Sequence, residues 1–120
     1  MADEGGRKKG RPADVDYVRL SEEGRITFLD IKDKYLSEEG CLGLNTDHLD
    51  FFTLIDDKLG SDSQYVVRLS AGDASRTLVG WYTAPIRHFR QGSKARGNQG
   101  GQGEGGADTR MRPFSDFSAL

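Results

Sequence analysis

Apolar positions along the chain form several short runs of period two, one run of helical period, and two stretches with no period at all. Residues 1–14 are polar and aperiodic and predict a flexible arm. Val15-Asp16-Tyr17-Val18-Arg19-Leu20 is β-branched and aromatic and runs into the turn sequence Ser21-Glu22-Glu23-Gly24, so a strand is expected there. The next stretch, residues 25–36, carries two patterns. Ile26 and Phe28 alternate as in a strand, but Leu29 and Ile31 fall on the opposite parity. Read as a helix, Phe28, Ile31 and Tyr35 line one face with Thr27 as N-cap. Read as a strand, the segment either contains a bulge or is partly covered on both faces, and the strand is the preferred reading. Ser37-Glu38-Glu39-Gly40 repeats the earlier turn sequence, and Cys41-Leu42-Gly43-Leu44 is a short third strand in which Cys41 is expected to be buried.

The helical run comes next. Asn45 or Thr46 is placed to cap it, and Asp47 and Asp50 sit in a first turn where the helix dipole favours negative charge. Leu49, Phe52, Ile55 or Asp56, and Leu59 keep helical spacing, Phe51 and Leu54 widen the stripe, and Gly60 is a suitable C′ residue. The acidic pairs Asp56-Asp57 and Glu38-Glu39 are expected on solvated surfaces. A hairpin follows: Tyr65, Val67 and Leu69 alternate with Val66 and Arg68, Ala71–Ala74 supplies a turn, and Thr77, Val79 and Trp81 alternate with Leu78, Gly80 and Tyr82. Pro85 ends that strand, and Ile86–Arg90 fits either a last strand or a helical turn.

The expected fold is α+β: a small antiparallel sheet with one main helix, in the order β-β-β-α-β-β, between flexible tails. It divides into a basic arm (1–14), a folded domain (15–91), a glycine-rich linker (92–112) and an apolar tip (113–120). A core of that size is marginal alone, and pairing into a homodimer is a natural remedy.

Charge changes this picture more than composition does. The net charge of −2 is unevenly spread. Residues 1–12 carry four Lys/Arg against two acids, residues 13–91 nine against fourteen, and residues 92–120 four against three. Within the middle block the acids come early, while Arg68, Arg76, Arg87 and Arg90 gather late. Cys41 is the sole cysteine, so no internal disulfide forms and a reducing, intracellular setting (cytoplasm, nucleoid or nucleus) is expected. His48 and His88 have no Cys or His neighbour at metal-ligand spacing, and no nucleophile–base pair stands out. Neither enzymatic activity nor a metal or cofactor is expected. No apolar run reaches the roughly 20 residues that span a bilayer, and no membrane partner is expected.

The charged chemistry left is that of nucleic acids. Single-strand binding needs cations for phosphates and exposed rings for bases. The stretch holding Arg68, Arg76, Trp81, Tyr82, Arg87 and Arg90 interleaves the two, with His88, Phe89, Lys94 and Arg96 alongside. On parity, Trp81 falls with the core set of its strand, whereas Arg68 and Tyr82 fall on the opposite, exposed set. Arg7-Lys8-Lys9-Gly10-Arg11-Pro12 resembles the core of an AT-hook, in which Arg11 enters the minor groove and Lys8 and Lys9 meet phosphates. The basic residues expected after Pro12 are replaced by Ala13 and Asp14, so a general electrostatic arm is the preferred reading.

Leu29-Asp30-Ile31-Lys32-Asp33-Lys34-Tyr35, then Gly40-Cys41-Leu42-Gly43-Leu44, then Thr46 through Leu59, resembles the core of the positive-cofactor-four family of transcription coactivators. The resemblance spans residues 25–59, and whirly-type and purine-rich-element-binding proteins share the same plan. It implies a homodimer whose curved antiparallel sheets bind single-stranded DNA or RNA, with Arg25, Lys32 and Lys34 as basic sheet positions. The glycine-rich stretch ending in Phe114, Asp116, Phe117 and Leu120 resembles the tether and tip by which bacterial single-stranded-DNA-binding proteins recruit protein partners. The expected function is therefore a single-strand-preferring nucleic-acid-binding protein of transcription or replication with a partner-recruiting tip. The alternative is a protein-interaction or assembly adaptor, of viral origin for instance, that does not bind nucleic acid.

Overall fold

The computed structural model describes residues 15–96 and 108–120, and the arm with Arg7, Lys8, Lys9 and Arg11 lies outside them. The architecture is α+β, as expected: eight strands in two sheets with one main helix. In chain order the strands are β1 (Tyr17–Leu20), β2 (Ile26–Lys34) and β3 (Cys41–Asn45), then helix α1 (Thr46–Leu59). They are followed by β4 (Gln64–Ser70), β5 (Leu78–Pro85), a 3₁₀ segment (Ile86–Gln91), β6 (Ser93–Arg96), β7 (Asp108–Pro113), a 3₁₀ turn (Phe114–Asp116) and β8 (Ser118–Ala119). Among the described residues no helix is long and apolar enough to cross a membrane.

Within residues 25–36, Ile26–Lys34 is strand, not helix. β2 needs both parities because it lies between β1 and β4, with apolar side chains on both of its faces. The two Ser-Glu-Glu-Gly sequences make the same turn twice. In each, the glycine N–H donates to the serine carbonyl at 2.9 Å, and the serine hydroxyl accepts from the N–H of the following residue, Arg25 or Cys41. Gly24 and Gly40 have φ of +85° and +78°, a conformation that glycine enters without Cβ strain. Cys41 itself is half-buried.

Helix α1 starts where Asn45 accepts from the Asp47 N–H at 2.8 Å and ends at left-handed Gly60. Its Asp56 is not solvated as expected. The carboxylate accepts from the hydroxyls of Ser61 and Ser63 at 2.7 and 2.8 Å and from the Ser63 N–H at 3.0 Å, fixing the loop into β4. Because β3 and α1 intervene, β2 and β4 run parallel (Asp30 opposite Tyr65, Lys34 opposite Leu69). The sheet is therefore mixed rather than antiparallel, in the order β1-β2-β4-β5-β8.

Residues 93–96 and 108–119, expected within the linker and tip, belong to the fold; residues 97–107 of the expected linker lie outside the described residues. β7 pairs with β3 and β6 in a second, antiparallel sheet, and β8 adds to β5 in the first. Phe117, 9% exposed, joins Tyr65 and Phe89 in a cluster of tilted rings 5.5–6.3 Å apart, and Phe114 packs edge-on against Tyr82 at 4.8 Å. Burying a phenylalanine contributes about 2–3 kcal/mol, so this tip is a closing element of the core and not a free peptide. The core it closes contains Leu42, Leu44, Leu49, Phe52, Val67, Leu69, Ala84 and Ile86. It lies between one face of the five-stranded sheet and the layer formed by α1, the second sheet and the 3₁₀ segment.

Candidate functional site

Pro85 halts β5, and the chain then coils with period three. Ile86 and Phe89 turn into the core while Arg87, His88 and Arg90 turn outward. The 3₁₀ segment ends at Gly92, whose N–H donates to the Phe89 carbonyl at 3.0 Å. The β7 backbone passes so close that a Cβ on Gly92 would lie 2.6 Å from the Met111 carbonyl oxygen. β7 alternates strictly: Thr109 and Met111 are buried, and Arg110 and Arg112, each following one of them, are half-buried. Those two arginines reach back over the 3₁₀ segment. Arg110 donates to the Arg90 carbonyl at 2.8 Å, and Arg112 donates to the Gln91 carbonyl at 3.3 Å and pairs with Asp116. Register places Lys94 of β6 opposite Arg110 on the same face.

Basic side chains therefore gather in two hollows along this segment. One is lined by Arg87, His88, Arg90, Gln91, Arg112 and Asp116, and the other by Lys94 and Arg110 with Asp108, Thr46, Ala95 and Thr109. Arg87 pairs with Asp62 and Arg112 with Asp116, while Arg90 and Lys94 have no acidic partner among the described residues. Fixed guanidinium forks beside free cations suit phosphate oxygens.

The structure divides the remaining candidates. Arg68 and Arg76 converge on Asp33, at 3.5 and 4.0 Å, so their charge is partly neutralised. Trp81 and Tyr82 exchange the roles expected of them. Trp81, directly opposite Arg68, is 41% exposed on the outer face, whereas Tyr82, opposite the buried Val67, turns inward onto Phe114. The inward parity of β5 is set by Tyr82 and Ala84, and the register shift at Leu69/Ser70 separates it from the pattern at Thr77 and Val79.

Lys32 and Lys34 follow the core-side parity of β2, opposite Val67 and Leu69, but the Lys32 side chain stays 40% exposed. Lys34 is 8% exposed, and burial, reinforced by Lys32 and opposed by Asp30, pushes its pKa down. The Lys32 ammonium lies 3.6 Å from the buried Asp30, whose other carboxylate oxygen meets His48 Nδ1 at 3.0 Å. Arg25 is exposed in the first Ser-Glu-Glu-Gly turn, remote from the 3₁₀ segment. Of the expected tip residues, Phe114 and Phe117 are packed, Asp116 is held by Arg112, and Leu120 alone is open.

Of the sequence candidates, then, Arg87 and Arg90 come together at this surface. Sequence reasoning placed Arg110 and Arg112 in a linker and missed their role, although Thr109-Arg110-Met111-Arg112 alternates as a strand does. Searches of protein-family models, curated proteins and solved structures find no match for the chain, so the resemblance over residues 25–59 rests on its sequence alone.

Proposed function

We propose that the chain is a nucleic-acid-binding protein that grips the phosphate backbone through the surface formed by the 3₁₀ segment and β7, with single strands preferred over duplex. The observation that carries this reading is the convergence of Arg87, Arg90, Lys94, Arg110 and Arg112, two of them braced on the carbonyls of residues 90 and 91. Arg90 and Lys94 supply free charge for phosphates, and the exposed His88 ring offers one platform for an unstacked base. Asp116, held by Arg112, lines the same hollow.

Fluorescence anisotropy with labelled single-stranded DNA, single-stranded RNA and duplex, over a range of salt, tests it. About three phosphate contacts give a log–log salt slope near −2 on a single strand. Arg90→Ala and Lys94→Ala should each flatten that slope by about 0.7, whereas Arg68→Ala, which lies outside this surface and shares Asp33 with Arg76, should flatten it less. Absence of binding tighter than about 0.1 mM at low salt, the weak end of non-specific affinities, refutes the reading. A second reading, a protein-interaction module, is favoured by one separate observation: the outer face of the five-stranded sheet is apolar and uncovered among the described residues.

A further inference from the structure

Among the described residues, the five-stranded sheet is packed on one face only. On its other face Leu29 and Ile31 of β2, Val66 of β4, Trp81 and Thr83 of β5 and Leu120 line one shallow apolar depression. Trp81 is 41% and Leu120 70% exposed. These side chains follow from register. Ile31 lies opposite Val66 and Val66 opposite Thr83, while Arg68, one step along that face, lies opposite Trp81.

The two central strands have the composition of strands covered on both sides. Tyr65-Val66-Val67 is an unbroken apolar run, and β2 offers Phe28 to the core but Leu29 and Ile31 to the open side. Residues 1–14 and 97–107 contain no apolar side chain larger than alanine or proline apart from Met1 and are poorly suited to cover it. A cover from another molecule fits this face better.

We infer that the cover is a second copy of this chain, packed face to face through the outer surface of the five-stranded sheet. The depression is broad and shallow, without the walls that grip a single extended peptide, and the surface most complementary to a sheet face is another sheet at about 10 Å. Four inter-strand gaps of about 4.8 Å by seven residues of about 3.3 Å give roughly 450 Å² per copy. A pair would bury about 900 Å², just under the size class of specific interfaces. That area fits a reversible dimer of micromolar strength rather than an obligate one. Arg19 and Gln64 also line the depression, and Asp33 at its end is held by Arg68 and Arg76.

The test uses the full chain and its single tryptophan. Sedimentation equilibrium from about 1 µM to about 500 µM, a range bracketing micromolar dissociation constants, should show mass rising from one chain to two. Trp81 emission should shift to the blue, and its quenching by iodide should fall, over the same range. Trp81→Glu and, independently, Leu120→Glu should hold the protein at one chain throughout with an unchanged far-ultraviolet circular dichroism spectrum. Leu54→Glu, on the exposed side of α1, should dimerise as the wild type does. A single-chain mass at every concentration overturns the inference. So does a dimer that survives Leu120→Glu, or a Trp81 emission that stays constant while mass doubles, because each places the contact elsewhere. A monomer that instead captures an unrelated protein through Trp81 assigns the face to a heterologous partner and overturns it equally.

Discussion

Substituting His48 by alanine tests the least solvated charge in the described fold. Asp30 projects from β2 toward the core with 0% exposure. One of its oxygens lies 3.0 Å from His48 Nδ1 in the first turn of α1. The other has no hydrogen bond; the Lys32 ammonium lies 3.6 Å away, and Lys34 also feels the Asp30 charge. His48→Ala therefore strands a buried carboxylate and cuts a polar tie between helix and sheet. Removing one partner of a fully buried pair costs about 3–5 kcal/mol. The His48 side chain is a quarter exposed and Lys32 stays in place, so the lower end applies, about 2–3 kcal/mol. At roughly 4–8 °C per kcal/mol for a domain of this size, the melting temperature falls by about 10–20 °C.

Thermal and urea unfolding followed by circular dichroism measures the loss, and Asp30→Asn closes a double-mutant cycle. The cycle should return a coupling of about 1–2 kcal/mol, since the neutral amide put in place of the carboxylate loses less when the His48 hydrogen bond is removed. A loss below about 0.5 kcal/mol, the range of ordinary surface substitutions, would falsify the claim that His48 satisfies a buried charge.

Three further outcomes follow from particular contacts. Tyr65→Phe removes the 2.8 Å hydrogen bond from the buried phenol to the Gly43 carbonyl and should cost about 1 kcal/mol at neutral pH. Burial, with a smaller push from Asp30, holds the folded Tyr65 pKa well above 10.0, so the wild type keeps this stability below pH 10 and loses it as the unfolded phenol ionises above that value. Lys34, its folded pKa lowered from 10.5, works in the opposite sense, because its charging penalty fades as pH rises through the folded pKa. The difference between wild-type and Tyr65→Phe urea midpoints above pH 10 isolates the tyrosine, and parallel curves would discount its burial. Asp73 accepts from the Thr77 N–H and hydroxyl at 2.8 and 2.6 Å, which lowers its pKa below 3.8. Its support of the β4–β5 turn is thus present above that value and lost as pH falls through the folded pKa. Asp73→Ala should remove this acid-range weakening, read as amide exchange at Ala71 and Thr77. Gly92→Ala drives a Cβ toward the Met111 carbonyl and should cost about 1–3 kcal/mol while weakening oligonucleotide binding. Unchanged stability would mean that β7 has room to move.

What could be read along the chain was whatever local physics decides. Asn45 and Gly60 cap α1 where their side-chain chemistry and left-handed backbone predict, and the two Ser-Glu-Glu-Gly turns close as their sequence suggests. Pairing between distant segments was not readable. The parallel register of β2 on β4 leaves no local mark. β7, which completes the second sheet, follows a glycine-rich stretch that obscures a four-residue alternation. Trp81 was misplaced for a related reason: either parity of 77–82 contains large apolar groups, and only pairing with Val67 and the burial of Ala84 decide which faces the core. The double parity of residues 26–31 was visible, yet its consequence, an open apolar face, needed the sheet order.

The two surfaces lie on opposite sides of the five-stranded sheet. Phe89 anchors the 3₁₀ segment to Tyr65 on the inner face, whereas Trp81 and Val66 look outward. A dimer through the outer faces therefore leaves both basic surfaces free and directs them away from each other. Each chain alone offers two cations without acidic partners among the described residues at that surface, a weak grip on a polyanion, and a pair doubles the contacts one long strand can make. Affinity should then depend on oligonucleotide length. A short oligonucleotide that occupies one surface should bind wild type and Leu120→Glu alike, while a strand long enough to reach both surfaces should bind the wild type more tightly and with a steeper salt slope. Equal affinities for the long strand would separate the two proposals, leaving the phosphate surface in place and removing any functional role for the pairing.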